Sequence, residues 1–225
     1  MRPISSKTLI SPHRRQALGI GVASLLSMGG LSSCSLIGSK KPVIGLVLGA
    51  GAARGFAHVG VIKALEAQGI WPDVVVGSSA GSVIAALLAS GVTGNELNRL
   101  ALNLDEATIA DWGLPFVGRF GGLIKGDALQ NMVNREVQNK SIEQMRIPLG
   151  IVATELQSGK GVLFRSGNTG QAVRASCSIP GVFQPTVIGG KEYVDGGLVA
   201  PVPVSYARQM GATLDRKSTR LNSSH

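Results

Sequence analysis

The stretch Val74-Val75-Val76-Gly77-Ser78-Ser79-Ala80-Gly81-Ser82-Val83-Ile84-Ala85-Ala86-Leu87-Leu88-Ala89 decides the fold. A β-branched apolar run passes through Gly77-Ser78-Ser79-Ala80-Gly81 into a run of small and apolar residues, so a buried strand turns sharply into a buried helix. A G-x-S-x-G at such a turn presents the hydroxyl of its central residue, here Ser79. The turn is too tight for side chains at the flanking positions, and both are glycine. The pentapeptide alone is a weak signal in a chain this rich in glycine and serine. Its position between strand and helix makes it a candidate nucleophile elbow.

A second turn of the same form lies upstream. Val43-Ile44-Gly45-Leu46-Val47-Leu48 reads as a buried strand, and Gly49-Ala50-Gly51-Ala52-Ala53-Arg54-Gly55 leads from it into a helix over about 56–68. Backbone N–H groups at such a turn, reinforced by the positive end of the helix dipole, suit an anion. In a nucleotide-binding protein the anion is a phosphate. Beside a serine nucleophile it is the oxyanion of a tetrahedral intermediate, where one lost donor costs about 3–4 kcal/mol. The dinucleotide reading is the weaker one. Arg54 stands where G-x-G-x-x-G needs its last glycine, and Asp73 precedes its strand instead of closing it.

Tyr193-Val194-Asp195-Gly196-Gly197 ends a hairpin-like stretch made of Thr186 to Ile188, Gly189-Gly190 and Lys191 to Val194. An acid followed by glycine after a strand is by itself an ordinary turn. The histidines say more, since the chain holds only His13, His58 and His225. A hydrolase triad in the order Ser, acid, His needs a histidine beyond Asp195, and only His225, at the end of a polar tail, lies there. His58 follows the first glycine loop, where a supporting role suits it better than that of a base. Asp195 is therefore the best-placed carboxylate to act as base for Ser79.

Three motifs in this order resemble the patatin-like phospholipase family, in its bacterial branch. The family's oxyanion loop, G-G-G-x-R-G, corresponds to Ala50-Gly51-Ala52-Ala53-Arg54-Gly55, with two of its three leading glycines replaced by alanine. Those replacements are tolerable where the residues need no positive φ. The family's G-x-S-x-G corresponds to Gly77 to Gly81 with Ser78 and Ala80 inside it, and its D-G-[GA] to Asp195-Gly196-Gly197. The wording around them, Phe56-Ala57-His58-Val59-Gly60 and Ser178-Ile179-Pro180-Gly181-Val182-Phe183, is similar too, and the likeness covers about 41–212. The resemblance implies a Ser79–Asp195 dyad, an oxyanion loop using Gly49, Gly51 and Ala52, and a glycerolipid or fatty-acyl ester as substrate. It implies neither metal nor cofactor. Arg54 is expected to fix the loop with Gly55 through backbone or carboxylate contacts, and Ser78 and Ser82 to be exposed polar residues at the helix start.

The first 34 residues read as an export signal, with Arg2, Lys7, Arg14 and Arg15 ahead of an apolar stretch from Ala17 to Leu31. That stretch is shorter than the roughly 20 residues a bilayer-spanning helix needs. Leu31-Ser32-Ser33-Cys34 matches a bacterial lipobox, so Cys34 is expected to be acylated and to anchor the protein in the cell envelope. Ser35, rather than aspartate, points to the periplasmic side of the outer membrane in a Gram-negative cell. With Cys34 lipidated, Cys177 has no disulfide partner. Residues 35–42 then form a linker.

From 43 to 214 strand-like runs (43–48, 74–76, 148–153, 161–165, 186–188, 191–194) alternate with helical ones (56–68, 80–90, 94–103, 127–138, 170–177, 203–210). The alternation predicts an α/β domain with a largely parallel central sheet, and the resemblance sharpens it to the three-layer patatin-like architecture. Trp112, Phe116 and Phe120 lie among glycines between 105 and 126, in a surface loop or an apolar lip over the acyl site. The helix ending at Met210-Gly211 calls for a further strand. The residues from Asp215 to His225 are polar and aperiodic, read here as a foreign or disordered tail, so the domain is expected to lack that strand. The leader and tail also account for six of the nine net positive charges. The basic balance is thus no argument for nucleic acid. The rival readings are an acyltransferase of related fold, which needs a histidine base, and a catalytically silent lipoprotein.

Overall fold

The computed structural model describes residues 41–103 and 125–218. The leader, Cys34 and the aromatic stretch at Trp112, Phe116 and Phe120 lie outside the described residues, and so does most of the segment expected as a lip. Seven strands form one sheet: β1 Ile44–Leu48, β2 Val74–Ser78, β3 Leu149–Glu155, β4 Gly161–Phe164, β5 Thr186–Ile188, β6 Lys191–Val194 and β7 Leu214–Ser218. The helices are α1 Ala57–Ala67, α2 Ala80–Ser90, α3 Gly94–Leu102, α4 Asp127–Glu136, α5 Thr169–Ser176 and α6 Val204–Gln209. Hydrogen-bonded neighbours follow the path β5-β6-β3-β2-β1-β7, and β4 also pairs with β3. β7, β1, β2 and β3 run parallel, while β4 and β6 are antiparallel to β3.

Both faces of β1, β2 and β3 are buried, which is why these strands read as unbroken apolar runs. Side chains alternate between faces along a strand. Leu46 and Leu48 of β1, Val75 of β2 and Ile151 of β3 join the core formed with α1 to α5. Val47, Val76 and Val152 face the opposite way, into a smaller core with Ala207 and Met210 of α6 and its flanks. This is the expected α/β/α layering. The small residues of α2 have a purpose here. Ala80 to Ala89 are all buried, so the helix lies against the sheet along its whole length.

The strand expected to be missing is present. β7 pairs in parallel with β1, Ile44 opposite Leu214 through Leu48 opposite Ser218. Thr213 begins the junction, its N–H donating to Val43 O at 3.0 Å and its Oγ1 accepting from Val43 N at 2.9 Å. The expectation failed because it demanded an apolar run. Pairing at a sheet edge is made by the main chain, and charged residue types are common on edge strands.

Candidate active site

β3 organises the site through its register. Val152 is opposite Ser78 of β2 on one side and Leu163 of β4 on the other. Thr154 is opposite Gly161 of β4 and Val194 of β6. Since β4 occupies one side throughout, β6 must lie on the same side as β2, beyond its end. The two strands run toward each other, and the residues after Ser78 and Val194 meet across the single position left between them, Ala153. Those residues are Ser79 and Asp195.

The contact is direct. Ser79 Oγ donates to Asp195 Oδ2 at 2.6 Å. Ser79 is 7% and Asp195 6% exposed. Asp195 Oδ1 accepts from the Gly197 N–H at 2.6 Å, and the Asp195 main chain is tied at both ends. Its N–H donates to Ser178 O at 2.9 Å and its carbonyl accepts from Thr154 Oγ1 at 2.8 Å. Burial pushes the Asp195 carboxyl above the usual aspartate range, against the hydrogen bonds from Ser79 and Gly197 that pull it down. A carboxylate so placed is a stronger base than one in water, already hydrogen-bonded to the proton it would take.

Ser79 has φ 51° and ψ −128°, a conformation that costs of order 1–3 kcal/mol for a residue with a side chain. The flanking glycines are required by close approach. A Cβ on Gly77 would lie 2.5 Å from Ser82 Cα, and one on Gly81 would strike the carbonyl oxygen of Leu48. Gly196 is equally confined, against Val152 O. Two expectations about the neighbouring serines are corrected. Ser82 is fully buried, with its Oγ donating to Ser79 O at 2.6 Å. Ser78 is fully buried as the last residue of β2, and its Oγ has no partner among the described residues. The helix begins at Ala80 as expected, and Ser82 is buried because α2 packs along the sheet.

The glycine loop stands beside the elbow. A Cβ on Gly55 would approach Ala80 Cβ to 2.8 Å, and one on Gly197 would approach Ala50 Cβ to the same distance. Ala52–Phe56 form a 3-10 turn capped by Gly51, with Arg54 N–H donating to Gly51 O at 3.0 Å. In that geometry Gly51, Ala52 and Ala53 have no carbonyl ahead of them to accept from their N–H groups. The Ala50 N–H is committed to Pro201 O at 2.8 Å. Ala52 has φ +47°, so one of the two alanines does occupy a left-handed position. The condition for its tolerance, that no positive φ is needed, is not met there. The Arg54 side chain is exposed and meets no carboxylate among the described residues, so its hold on the loop is through the backbone alone.

His58 is 4% exposed, and its Nε2 donates to the Gly49 carbonyl at 2.8 Å. Burial lowers its pKa, so the neutral ring is favoured. This is the supporting place expected of it. Ser176 and Thr154 had no place in the sequence argument, although both touch the site. Ser176 closes a helix, and its polarity there gives no hint of a partner 97 residues away.

An uncharacterized NTE family protein of Mycobacterium tuberculosis is 37% identical over 177 residues, covering 79% of this chain and 49% of that protein. Lysophospholipase NTE1 of Mycosarcoma maydis is 35% identical over 175 residues, 75% of this chain and 9% of that one. The chain therefore spans about half the length of the mycobacterial relative and a small part of the fungal one. Among solved structures, VipD from Legionella pneumophila shares the fold, with a TM-score of 0.53 at 15% identity over 68% of this chain and 45% of VipD. The patatin-like phospholipase model matches residues 46–208, a span holding the glycine loop, Ser79 and Asp195, and the chain belongs to that family.

Proposed function

We propose that the chain is a serine lipid acyl hydrolase in which Ser79 and Asp195 act as a dyad. The observation that carries the reading is the 2.6 Å hydrogen bond between Ser79 Oγ and Asp195 Oδ2, made by the two strands meeting end to end. Asp195 takes the hydroxyl proton as Ser79 Oγ bonds to the ester carbonyl carbon. The N–H groups of Gly51, Ala52 and Ala80 are the donors for the oxyanion. The carbon–oxygen bond to the alcohol then breaks, and Asp195 returns the proton to the leaving alcohol. Water repeats the sequence on the acyl-enzyme, giving its proton to Asp195 and releasing the fatty acid. The fungal relative's name makes a lysophospholipid the first substrate to try. His58 is engaged by the loop carbonyl of Gly49, which favours an aspartate base over a histidine one.

The test is labelling by a fluorophosphonate followed by peptide mapping. Ser79 is expected to carry the label, and Ser79→Ala to carry none and to lose ester hydrolysis. Label on Ser78 or Ser82 with Ser79 free would overturn the assignment. The lipobox adds an envelope anchor at Cys34, placed at the outer membrane in a Gram-negative cell. Wild-type protein is expected to incorporate labelled palmitate in a bacterial host, and Cys34→Ala is not. Equal labelling would remove the anchor from the proposal.

A further inference from the structure

The N–H of Ser79 is held by one hydroxyl, while its carbonyl accepts from the N–H and Oγ of Ser82. Ser79 N–H donates to Ser176 Oγ at 2.8 Å, and Ser176 Oγ donates in turn to Val152 O at 2.5 Å. Ser176 ends α5 and is fully buried, so water does not compete for either bond. The hydroxyl both accepts and donates, which leaves it no freedom to turn and links the elbow rigidly to β3. Two residues on, Ser178 O accepts the Asp195 N–H at 2.9 Å. Ser178 is itself fixed, its Oγ donating to Arg174 O at 2.8 Å and meeting Thr186 Oγ1 at 3.0 Å. One three-residue segment thus grips the nucleophile on one side and the base on the other.

Ser79 needs such a grip. Its left-handed φ of 51° is a conformation that the surrounding structure has to impose. We propose that Ser176 is a positioning residue for the reaction, holding Ser79 in its strained conformation so that its hydroxyl stays in line with Asp195. This rests on the dyad reading above. Without the Ser176 hydroxyl the Ser79 N–H is left buried and unpaired, the elbow relaxes toward an ordinary backbone conformation, and Oγ moves off the carboxylate. A displacement of about 1 Å in a reacting group costs on the order of 100-fold in rate.

The experiment compares wild type, Ser176→Ala and Thr169→Val. Thr169 is a buried hydroxyl at the other end of α5, donating to Lys140 O at 2.7 Å, and its loss weakens the same helix away from the site. Each protein is reacted with a fluorophosphonate and assayed on a short-chain nitrophenyl ester, with Tm measured in parallel. Ser176→Ala is expected to be labelled, and to turn over, about 10- to 100-fold more slowly with KM little changed. Thr169→Val is expected to lose a similar amount of Tm at the wild-type rate. Equal rates for Ser176→Ala and wild type would overturn the proposal, as would an equal slowing in Thr169→Val. Wild-type protein that takes no label would instead overturn the dyad. If Ser176→Ala does not fold, Ser176→Cys, whose thiol accepts only weakly, is measured in its place and read in the same way.

Discussion

Replacing Asp195 by Asn is expected to abolish hydrolysis and stabilise the fold together. The amide nearly matches the carboxylate in shape. Its Oδ1 keeps the 2.6 Å bond from the Gly197 N–H, and its NH₂ can donate to Ser79 Oγ where Oδ2 accepted. What is lost is the negative charge at a 6% exposed site. Burial raises the carboxyl's pKa in the folded protein, so between the ordinary aspartate value and the raised one the folded state binds more protons than the unfolded chain. Stability then falls as pH rises through that window. The wild type holds this contribution in full below the ordinary aspartate value and has lost it above the raised one. Each unit of upward shift corresponds to about 1.4 kcal/mol, and in a domain of this size each kcal/mol moves Tm by about 2–4 °C. Thermal melts of both proteins from pH 4.5 to 8.5 should show Asp195→Asn gaining on wild type as pH rises and then levelling off. Ester hydrolysis should be lower by about 10²–10⁴-fold throughout. A Tm deficit for the variant that is the same at every pH would refute the reasoning, because the carboxylate would then support the fold.

Three further outcomes follow from the backbone and from one buried hydroxyl. Ala52→Gly should raise the stability slightly, by about 0.5 kcal/mol, since relief of the left-handed alanine outweighs the added freedom of the unfolded chain; a lowered Tm would contradict the strain. Gly81→Ala should cost about 3 kcal/mol or more, because its Cβ meets the backbone of Leu48 and Gly49 and cannot be accommodated by a side-chain shift; denaturant unfolding with an unchanged midpoint would contradict the packing. Ser78→Ala should gain about 1 kcal/mol in the same assay, as it removes a buried hydroxyl that has no partner among the described residues; a loss of that size would mean the hydroxyl is satisfied in solution.

Most of the layering was legible because the parallel strands carry their own signature. Val74-Val75-Val76 and Leu46-Val47-Leu48 are buried on both faces, so no polar alternation blurs them. Ser79 was legible from the G-x-S-x-G between strand and helix, and Asp195 for a chemical reason, since no histidine stands where a triad would need it. The reading stopped where geometry depends on distant pairing. Nothing in Lys191–Val194 says that this strand lies on the β2 side of β3, and only that register brings residue 195 to residue 79. Ser176 was invisible for the same reason. β7 was missed because its pairing does not depend on an apolar run, and the φ of Ala52 because alanine gives no warning of a left-handed turn.

The end-to-end meeting of β2 and β6 also bears on how the protein comes to life. Ser79 is made early in synthesis, while its partner Asp195 is made 116 residues later. β6 reaches β3 only through long-range pairing, a slow kind of contact to form. A chain that has folded β1, β2 and α2 already displays the elbow, but Asp195 does not yet stand beside Ser79. On the proposed dyad, hydrolysis would begin only once the short β5–β6 hairpin has docked. Any agent that peels Lys191–Val194 from the sheet would part Asp195 from Ser79 without touching the elbow itself.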